Sequence, residues 1–313
     1  MKAIRLHAQG GPEQVVFEDA PQPILRAGDA LVRVLASGLT RGELSWGPTY
    51  TDEQGNSRLP TIPGHELCGV VEAVAQGVTG VVAGETVYGL TSFFRDGTAA
   101  EYVAVTAADL APKPESIDAV EAASVPLSAL TAWQALFDHA SLQPGQKVLI
   151  HGAAGGIGVF AVQIARWHGA RVIATAGKDS TDMLKGLGAE RVIDYRSQAF
   201  EKEVSDVDVV LDSIGGDTQQ RSWQVLRRGG VLVSIAGESI EPPSPDLGVR
   251  GIFFIVRPSR HQLMEIGGLI DGGFIRTVVD RVFPLAKARQ AFEMLSESGK
   301  HGKIVINTSD AAI

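Results

Sequence analysis

Short stretches in which polar and apolar residues alternate dominate the first part of the chain. A period of two is the pattern of a β-strand that buries one of its faces. Clusters of glycine and proline, such as Gly10–Pro12, separate these stretches and indicate turns. The alternation predicts strands at Lys2–Leu6, Asp29–Leu35, Gly69–Val74 and Glu101–Val105. Short strands with frequent turns predict a small β-rich domain of the barrel or sandwich type.

From about residue 121 to residue 256, continuous apolar runs rich in valine and isoleucine alternate with helix-like segments. Such runs are typical of strands that are buried on both faces, as in a parallel sheet. The runs are Val148–Ile150, Arg171–Thr175, Arg191–Asp194, Val207–Asp212, Gly230–Ile235 and Ile252–Val256. Strands of this kind with helical crossovers form the two-halved dinucleotide-binding fold.

The last part of the chain mixes helix and strand patterns. It predicts a helix at Arg260–Ile270, a strand at Val278–Phe283, a helix at Ala286–Ser296 and a strand at Lys303–Ile306. We expect these elements to return to the first domain. The predicted fold class is therefore α/β, with a β-rich domain from residues 1–120 plus 258–313 and a nucleotide-binding domain from residues 121–257.

Composition and charge narrow the class of protein. The chain has 313 residues, of which 44% are hydrophobic and 20% charged, as in an ordinary globular protein. Its net charge of −8 disfavours a general nucleic-acid binder or a basic membrane-surface protein. Cys68 is the only cysteine, so no internal disulfide can form. We expect a cytoplasmic protein, because the N-terminus lacks a signal-peptide core and the longest uncharged run, Ala122–Phe137, is too short to span a membrane.

A glycine-rich turn directly follows the apolar run at Val148–Ile150, and a helix-compatible stretch follows the turn. Its spacing is Ala153-x-Gly155-x-x-Gly158, so alanine replaces the first glycine of the dinucleotide fingerprint. Small residues let the backbone approach a pyrophosphate, and a helix N-terminus offers it free N–H groups. Such a turn can also serve only to pack strand against helix, but the surrounding βαβ series favours cofactor binding. The predicted contacts are Ala154, Gly155, Gly156 and Ile157.

The end of the next strand bears on the choice of cofactor. Binders of NADH usually place an acidic residue there to hold the ribose hydroxyl. This strand instead ends in Thr175–Lys178, of which Thr175 and Lys178 are predicted cofactor contacts, and a lysine suits the extra phosphate of NADPH. Tyr195 and Arg196, at the end of the third run, can add contacts to the same phosphate. Asp179 argues against this interpretation, and Lys178 can also be a simple exposed lysine, but the missing acid favours NADPH.

Further motifs carry a resemblance to a known family. They are Gly10–Glu13, Pro126–Leu136, Ala153–Gly158, Asp212–Gly216 and Gly302–Ile306. In this order along essentially the whole chain, they resemble the zinc-independent quinone oxidoreductase branch of the medium-chain dehydrogenases/reductases. The resemblance implies a Rossmann domain inserted in a GroES-like β-rich domain, and a homodimer formed through the edge strand Ile252–Val256.

The same resemblance implies more contacts to the cofactor. It assigns Thr131 to the neighbourhood of the nicotinamide and Lys303 to a basic position close to the cofactor. It further assigns Ser213, Ile214, Ala236, Gly237, Phe253, Phe254 and Ile255 to segments that line the pyrophosphate and the nicotinamide.

The chain also contains Gly64–Glu66, a Gly-His-Glu motif that the zinc-dependent relatives share. A catalytic zinc needs three protein ligands. By the resemblance, Thr40 occupies the place of the first cysteine ligand, and the later cysteine falls near Leu127 or Ser128. Cys68 lies in the strand after the motif, where side chains alternate between faces, so it does not complete a site. We therefore expect no metal.

The sequence thus predicts an enzyme that transfers a hydride from NADPH to a quinone or an α,β-unsaturated carbonyl, acceptors that delocalise charge without a Lewis acid. The candidate catalytic residues are Thr40, Tyr50 and His65, for each of which a packing role is an equal alternative. Segments 46–59 and 93–97 are expected to shape the pocket for this small-molecule substrate. Two alternatives stay open: a zinc-dependent alcohol dehydrogenase and a non-catalytic NADPH-binding sensor.

Overall fold

The computed structural model describes residues 1–237, 240–242, 244–297 and 299–309. The chain divides into two units. Unit 1 comprises Met1–Leu127, Pro258–Ser298 and Lys303–Ile313, and unit 2 comprises Ser128–Arg257 and Gly299–Gly302. The first boundary follows Leu127, whereas the sequence analysis puts it after residue 120, and the short segment Gly299–Gly302 groups with unit 2.

The secondary-structure elements follow one another in three parts of the chain. The first part contains β1 (Lys2–Leu6), β2 (Val15–Asp19), β3 (Asp29–Leu39), α1 (Gly47–Tyr50), β4 (Glu66–Val74), β5 (Thr86–Leu90), β6 (Tyr102–Thr106), β7 (Leu110–Pro112), α2 (Ala119–Ala123) and α3 (Pro126–Trp133). The second contains β8 (Lys147–Ile150), α4 (Gly156–Trp167), β9 (Arg171–Ala176), α5 (Thr181–Gly186), β10 (Arg191–Asp194), α6 (Phe200–Glu203), β11 (Val207–Asp212), α7 (Gly216–Ser222), β12 (Leu226–Ser234) and β13 (Arg250–Phe253). The last contains α8 (Arg260–Asp271), β14 (Val279–Pro284), α9 (Ala288–Ser296) and β15 (Lys303–Asn307). None of the described helices combines the length and apolarity needed to cross a membrane.

Unit 1 is built on a sheet with the strand order β14–β15–β3–β4–β5–β7, and β6 also pairs with β3. The alternating pattern predicts β3 because this strand buries one face: along its first part, buried and partly exposed residues alternate. The observed β4 begins earlier than predicted, at Glu66, since residues 66–69 are all buried and show no alternation. The predicted β-rich domain is confirmed.

The C-terminal strand β15 pairs with β14 in parallel and with β3 antiparallel, so the end of the chain returns to the sheet of the first segment. Helix α9 covers this region with one apolar face. Its residues Ala288, Ala291, Phe292 and Leu295 recur at helical spacing and are buried in one cluster with residues of β1 and β15. The predicted return of the last elements to the first domain is confirmed.

Unit 2 is built on a sheet with the strand order β10–β9–β8–β11–β12–β13, in which every pairing is parallel. This is the order of the two-halved dinucleotide-binding fold, and the α/β prediction is confirmed.

The last strand is shifted from its predicted bounds, Ile252–Val256. It ends at Phe253 because its partner β12 ends at Ser234, which faces Phe253 in the register. The edge that the resemblance assigns to a homodimer is thus shorter, and the homodimer stays a prediction.

Candidate functional site

The glycine-rich turn joins β8 to α4 in unit 2, and its glycines differ in what surrounds them. Gly152 has a φ of +65°, and an added Cβ would lie 2.5 Å from Ser213 Oγ. A Cβ on Gly158 would lie 2.5 Å from Ala153 Cα, so this glycine allows helix and turn to pack closely. Gly155 is exposed, and its backbone is extended, with a φ of −78°. The turn therefore buries Gly158 and presents Gly155 to solvent.

The predicted pyrophosphate contacts lie together at the N-terminus of α4. Gly155 is the residue that precedes the helix, and Gly156 and Ile157 form its first turn, where backbone N–H groups have no partner within the helix. A hydrogen bond holds the backbone of Ala154, because its carbonyl accepts from Gly302 N–H at 2.8 Å. A helix N-terminus of this kind is suited to bind an anion.

His151, which directly follows β8, is a buried residue that connects neighbouring elements and that the sequence analysis missed. Its Nδ1 lies 2.9 Å from Thr175 Oγ1, and its Nε2 lies 2.9 Å from Ser222 Oγ. Burial lowers the pKa of His151 to about 4, so the ring is neutral near pH 7. The one sign of this role in the sequence is a polar residue between the apolar run of β8 and the glycines.

Asp212 organises the neighbouring turn at the end of β11. Its carboxylate is fully buried and accepts hydrogen bonds from Ile214 N–H at 2.9 Å, Gly215 N–H at 3.0 Å and Ser234 Oγ at 3.1 Å. Ser213 Oγ donates to the carbonyl of His151 at 2.9 Å. These bonds connect the carboxyl ends of β8, β11 and β12.

The remaining members of the predicted lining differ in exposure. Ile214 is 56% exposed, and Ala236 is also exposed, with its N–H donating to Ser234 Oγ at 3.2 Å. Gly237 follows Ala236 beyond the end of β12. Carboxyl ends of parallel strands are where such sheets bind ligands, so these positions suit a cofactor surface.

Two cations and an aromatic ring lie at the ends of β9 and β10. The Arg196 guanidinium lies beside Gly177, with its Cζ 3.5 Å from where a Cβ would stand, and 5.6 Å from the centre of the Tyr195 ring. Lys178 is exposed and follows Gly177 directly, and Tyr195 is 57% exposed. The structure thus groups the predicted Lys178 and Tyr195 with Arg196.

Carboxylates near this group are either exposed or engaged. Asp194 accepts hydrogen bonds from Ser197 Oγ at 2.8 Å and from Arg196 N–H at 3.1 Å. These bonds, chiefly the one from Ser197, hold the pKa of Asp194 below its usual range. Asp179 is exposed in the short helical turn after Lys178. The strand β9 itself contains no acidic residue.

Four further cofactor predictions occupy separate environments in unit 2. Thr131 is buried in α3, and Phe253 ends β13. Phe254 is buried with its ring 4.3 Å from that of His139, which favours a packing role, whereas Ile255 is 63% exposed. The role of these four residues in cofactor binding stays a prediction.

The contrast between Gly155 and Gly158 generates a prediction. Gly155→Ala is expected to weaken binding of a reduced nicotinamide dinucleotide at least about tenfold, or about 1.4 kcal/mol, because its methyl group enters the surface offered to the pyrophosphate. Gly158→Ala is expected to lower the Tm instead, because its methyl group meets backbone atoms. Fluorescence titration and thermal unfolding of both variants measure the two effects. Unchanged affinity in Gly155→Ala would contradict the assignment of the turn.

In unit 1, a buried ion pair joins the first residues of two strands. Lys303 begins β15, and Glu66 begins β4. The Nζ of Lys303 contacts the Oε1 of Glu66, and the side chains of Lys303 and Glu66 are 4% and 1% exposed. The other carboxylate oxygen of Glu66 accepts Leu127 N–H at 3.0 Å. Gly38 of β3 leaves room for this carboxylate, since a Cβ there would lie 2.7 Å from Glu66 Cδ. The resemblance assigned Lys303 to the cofactor, and its ammonium group lies against Glu66 and Thr40.

Thr40 links the ion pair to its surroundings. Lys303 Nζ donates to Thr40 Oγ1 at 3.2 Å, and Thr40 Oγ1 lies 3.5 Å from Glu66 Oε1. Thr40 N–H donates to Glu43 Oε2 at 3.1 Å, while Glu43 Oε1 is buried without a hydrogen-bond partner. Burial raises the pKa of Glu43 to about 8, although the bond from Thr40 and the charge of Lys303 oppose this. Glu43 is therefore protonated near pH 7, a feature the sequence analysis missed.

The other two catalytic candidates have contacts that favour packing. Tyr50 O–H donates to the carbonyl of Leu44 at 2.5 Å, so its proton is already engaged. His65 is 1% exposed, and its ring stacks on Trp46 and meets Phe93 edge-on, at centroid distances of 5.7 and 4.8 Å. Burial lowers the pKa of His65 to about 3, so its ring is neutral near pH 7 and does not act as an imidazolium acid.

A cavity of about 460 Å³ opens in unit 1 beside Thr40. Its lining residues come from the turn at Gln9–Pro12, the segment after β3 and the end of α9: Gln9, Gly10, Gly11, Pro12, Thr40, Arg41, Gly42, Glu43, Leu44, Ser45, Gly47, Tyr50, Phe292, Leu295 and Ser296. Of the segments predicted to shape the pocket, only 46–59 contributes, through Gly47 and Tyr50, among the described residues.

The donor set of unit 1 does not match a zinc site. Within the described ranges, no group of three or more His, Cys, Asp or Glu side chains is placed to hold a metal. Glu66 is paired with an ammonium group, and Thr40 stands where the resemblance expects a thiolate. Cys68 is fully buried, and burial raises the pKa of its thiol to about 12, so it stays protonated. The residues present do not fit a catalytic zinc.

The protonated state of Glu43 generates a second prediction. Between pH 4.5 and about pH 8 the folded protein keeps a proton on Glu43 that the unfolded chain has released. The stability that this proton contributes is complete below pH 4.5 and is lost as pH rises through about 8. Glu43→Gln keeps a neutral side chain of the same shape, so its free energy of unfolding is expected to fall less across this window. Parallel curves for the two proteins in denaturant titrations would show that Glu43 is not the cause.

Comparison with protein families gives two matches. The model of the alcohol dehydrogenase GroES-like domain matches residues 26–115. The model described as zinc-binding dehydrogenase matches residues 187–306. The first range lies in unit 1, and the second spans most of the parallel sheet and the returning C-terminal strand.

Individual proteins are similar over nearly the whole chain. A probable zinc-binding oxidoreductase, mitochondrial, from Arthroderma benhamiae is 33% identical, with 91% of this chain and 90% of that protein covered. The NADPH-dependent alkenal/one oxidoreductase, chloroplastic, from Arabidopsis thaliana is 30% identical, with coverages of 98% and 79%. The solved structure of the quinone oxidoreductase from Coxiella burnetii has a TM-score of 0.89 at 30% identity, with coverages of 98% and 99%.

Proposed function

Because this chain belongs to the medium-chain dehydrogenase/reductase family, a family of NAD(P)-dependent oxidoreductases, we propose that it reduces quinones or α,β-unsaturated carbonyls with NADPH and without zinc. The reduced nicotinamide supplies a hydride, and the protein supplies binding and orientation. The glycine-rich turn and the carboxyl ends of β8, β11 and β12 hold the dinucleotide.

The observation that carries the choice of NADPH is the pair of cations beside Gly177. Lys178 and Arg196 flank the end of β9, a strand without the acidic residue that would bind the ribose hydroxyl of NADH. A guanidinium and an ammonium group are suited to bind a phosphate. The exposed ring of Tyr195, beside Arg196, offers an apolar face to the adenine.

The donor set of unit 1 supports a mechanism without zinc. A Lewis acid normally polarises the carbonyl of a simple ketone. Without one, hydride transfer favours acceptors that spread the resulting charge over a conjugated system. Two of the similar proteins, named as an alkenal/one oxidoreductase and a quinone oxidoreductase, bear names of this class of chemistry. We place the acceptor in the cavity beside Thr40, whose hydroxyl is suited to contact its oxygen.

The activity is tested with purified protein, NADPH and a panel of quinones, α,β-unsaturated carbonyls and saturated ketones. We expect NADPH oxidation with the first two classes and none with the third, in protein that contains no stoichiometric zinc by elemental analysis. Stoichiometric zinc with activity lost on chelation would identify a zinc-dependent alcohol dehydrogenase instead. Tight NADPH binding without turnover of any acceptor would identify a non-catalytic sensor.

The choice of cofactor is tested by removing the two cations. Lys178→Ala/Arg196→Ala is expected to raise the KM for NADPH at least about tenfold, because charge-assisted hydrogen bonds contribute about 1.5–3 kcal/mol each, and to leave the KM for NADH unchanged. Lys185→Ala, which removes an exposed lysine from α5, serves as the matched control. Equal effects on both cofactors, or a wild type that prefers NADH, would overturn the assignment to NADPH.

A further inference from the structure

The buried ion pair of Lys303 and Glu66 calls for an explanation in terms of function. Removing two charges from water costs several kcal/mol per ion, and such a pair often contributes no net stability. Both side chains are at least nine-tenths buried, and neither is among the described residues that line the cavity. The pair reaches that cavity through one residue, Thr40, which is half-buried and lines it.

The hydroxyl of Thr40 has one partner on each side. As an acceptor it receives Lys303 Nζ at 3.2 Å. As a donor its partner among the described residues is Glu66 Oε1 at 3.5 Å, whereas hydroxyl donors to carboxylates normally lie at about 2.5–2.7 Å. An oxygen in the cavity at normal hydrogen-bond distance therefore competes well for this proton. The ammonium group behind Thr40 Oγ1 also makes the hydroxyl a better donor.

Two carboxyl groups influence the charge on the ammonium group of Lys303. Glu66 is one carboxylate in contact with Lys303, and Glu43 is a second carboxyl group, bound to Thr40 N–H. Because burial raises the pKa of Glu43 to about 8, Glu43 is uncharged near pH 7. Glu66 is then the charged carboxylate that neutralises Lys303. Tyr50 and His65 do not compete for the role of donor, because the Tyr50 hydroxyl already donates to the Leu44 carbonyl and His65 is buried and does not line the cavity.

We propose that Thr40 is the catalytic proton donor to the oxygen of the acceptor, and that Lys303, positioned by Glu66, resupplies the Thr40 proton. The inference rests on the proposed function. Hydride addition to the β-carbon of an enone leaves an electron pair on the carbonyl oxygen. This oxygen forms a bond to the Thr40 proton, the Thr40 O–H bond breaks, and Thr40 Oγ1 takes a proton from Lys303 Nζ. Lys303 is left as a neutral amine and regains a proton from water, while the enol product rearranges to the saturated ketone.

The kinetic test compares isosteric and hydroxyl-preserving variants. Thr40→Val is expected to lower kcat for an enone at least about a hundredfold, the usual lower range for loss of a general acid, with the KM for NADPH unchanged. Thr40→Ser is expected to retain most of kcat. Thr86→Val is the matched control, because Thr86 is half-buried like Thr40, begins β5 and does not line the cavity. Full kcat in Thr40→Val would overturn the proposal.

A second test needs neither cofactor nor turnover. 4-Nitrophenol carries an acidic oxygen whose ionisation is visible in its absorbance. We expect the wild type to bind it with an apparent pKa lower than in water, because Lys303 stabilises the anion through Thr40. Lys303→Met/Glu66→Gln, which removes both charges without leaving one unpaired, is expected to abolish this shift. Equal ionisation of the probe on the two folded proteins, or no binding by the wild type, would overturn the relay. A wild type that shifts the probe but reduces no acceptor would overturn the proposed function alone.

Discussion

The cost of burying charge is the constraint on which the architecture of unit 1 depends. Glu66 and Lys303 are far apart in sequence, yet each begins a strand that pairs with β3, so the sheet register brings them together. Gly38 lies at the point where the carboxylate needs space, and Leu127 N–H satisfies the oxygen that Lys303 does not reach. A carboxylate buried in this way requires every one of these partners, because a single unmatched charge costs more than the pair contributes.

The edge of unit 2 that carries the glycine-rich turn meets the same constraint with fewer charges. Its turns contain many backbone N–H groups, and Asp212 satisfies several of them at once from a fully buried position. The neutral ring of His151 forms a comparable hydrogen bond between the end of β8 and Thr175 of β9. Both residues are buried, and an added Cβ at Gly155 would meet no side chain of the described residues within 4 Å. A rigid interior and an open surface are what a backbone-mediated anion site requires.

Sequence patterns identified the parts of the molecule that local physics determines. Strands such as β1 and β10 were predictable because each has a clear apolar pattern, and the position of the glycine-rich turn followed from its spacing. The end of β13 was misplaced because the length of its partner, rather than its own apolar run, decides where pairing stops. The contact between Lys303 and Glu66 spans 237 residues and leaves no local signal. The protonation of Glu43 depends on burial, which only the folded structure reveals.

The hydrogen-bond chain through His151 fixes the direction in which one hydroxyl can act. Ser222 Oγ gives its own proton to the carbonyl of Thr218 at 2.6 Å, so it must accept from His151 Nε2–H. His151 Nδ1 is then the unprotonated nitrogen, and Thr175 Oγ1 must donate to it. Thr175 Oγ1 then has only lone pairs to offer, so it binds a further partner only as a hydrogen-bond acceptor. A sugar hydroxyl meets that condition and an ionised phosphate oxygen does not, so the interior of the domain limits the chemical groups that Thr175 can bind.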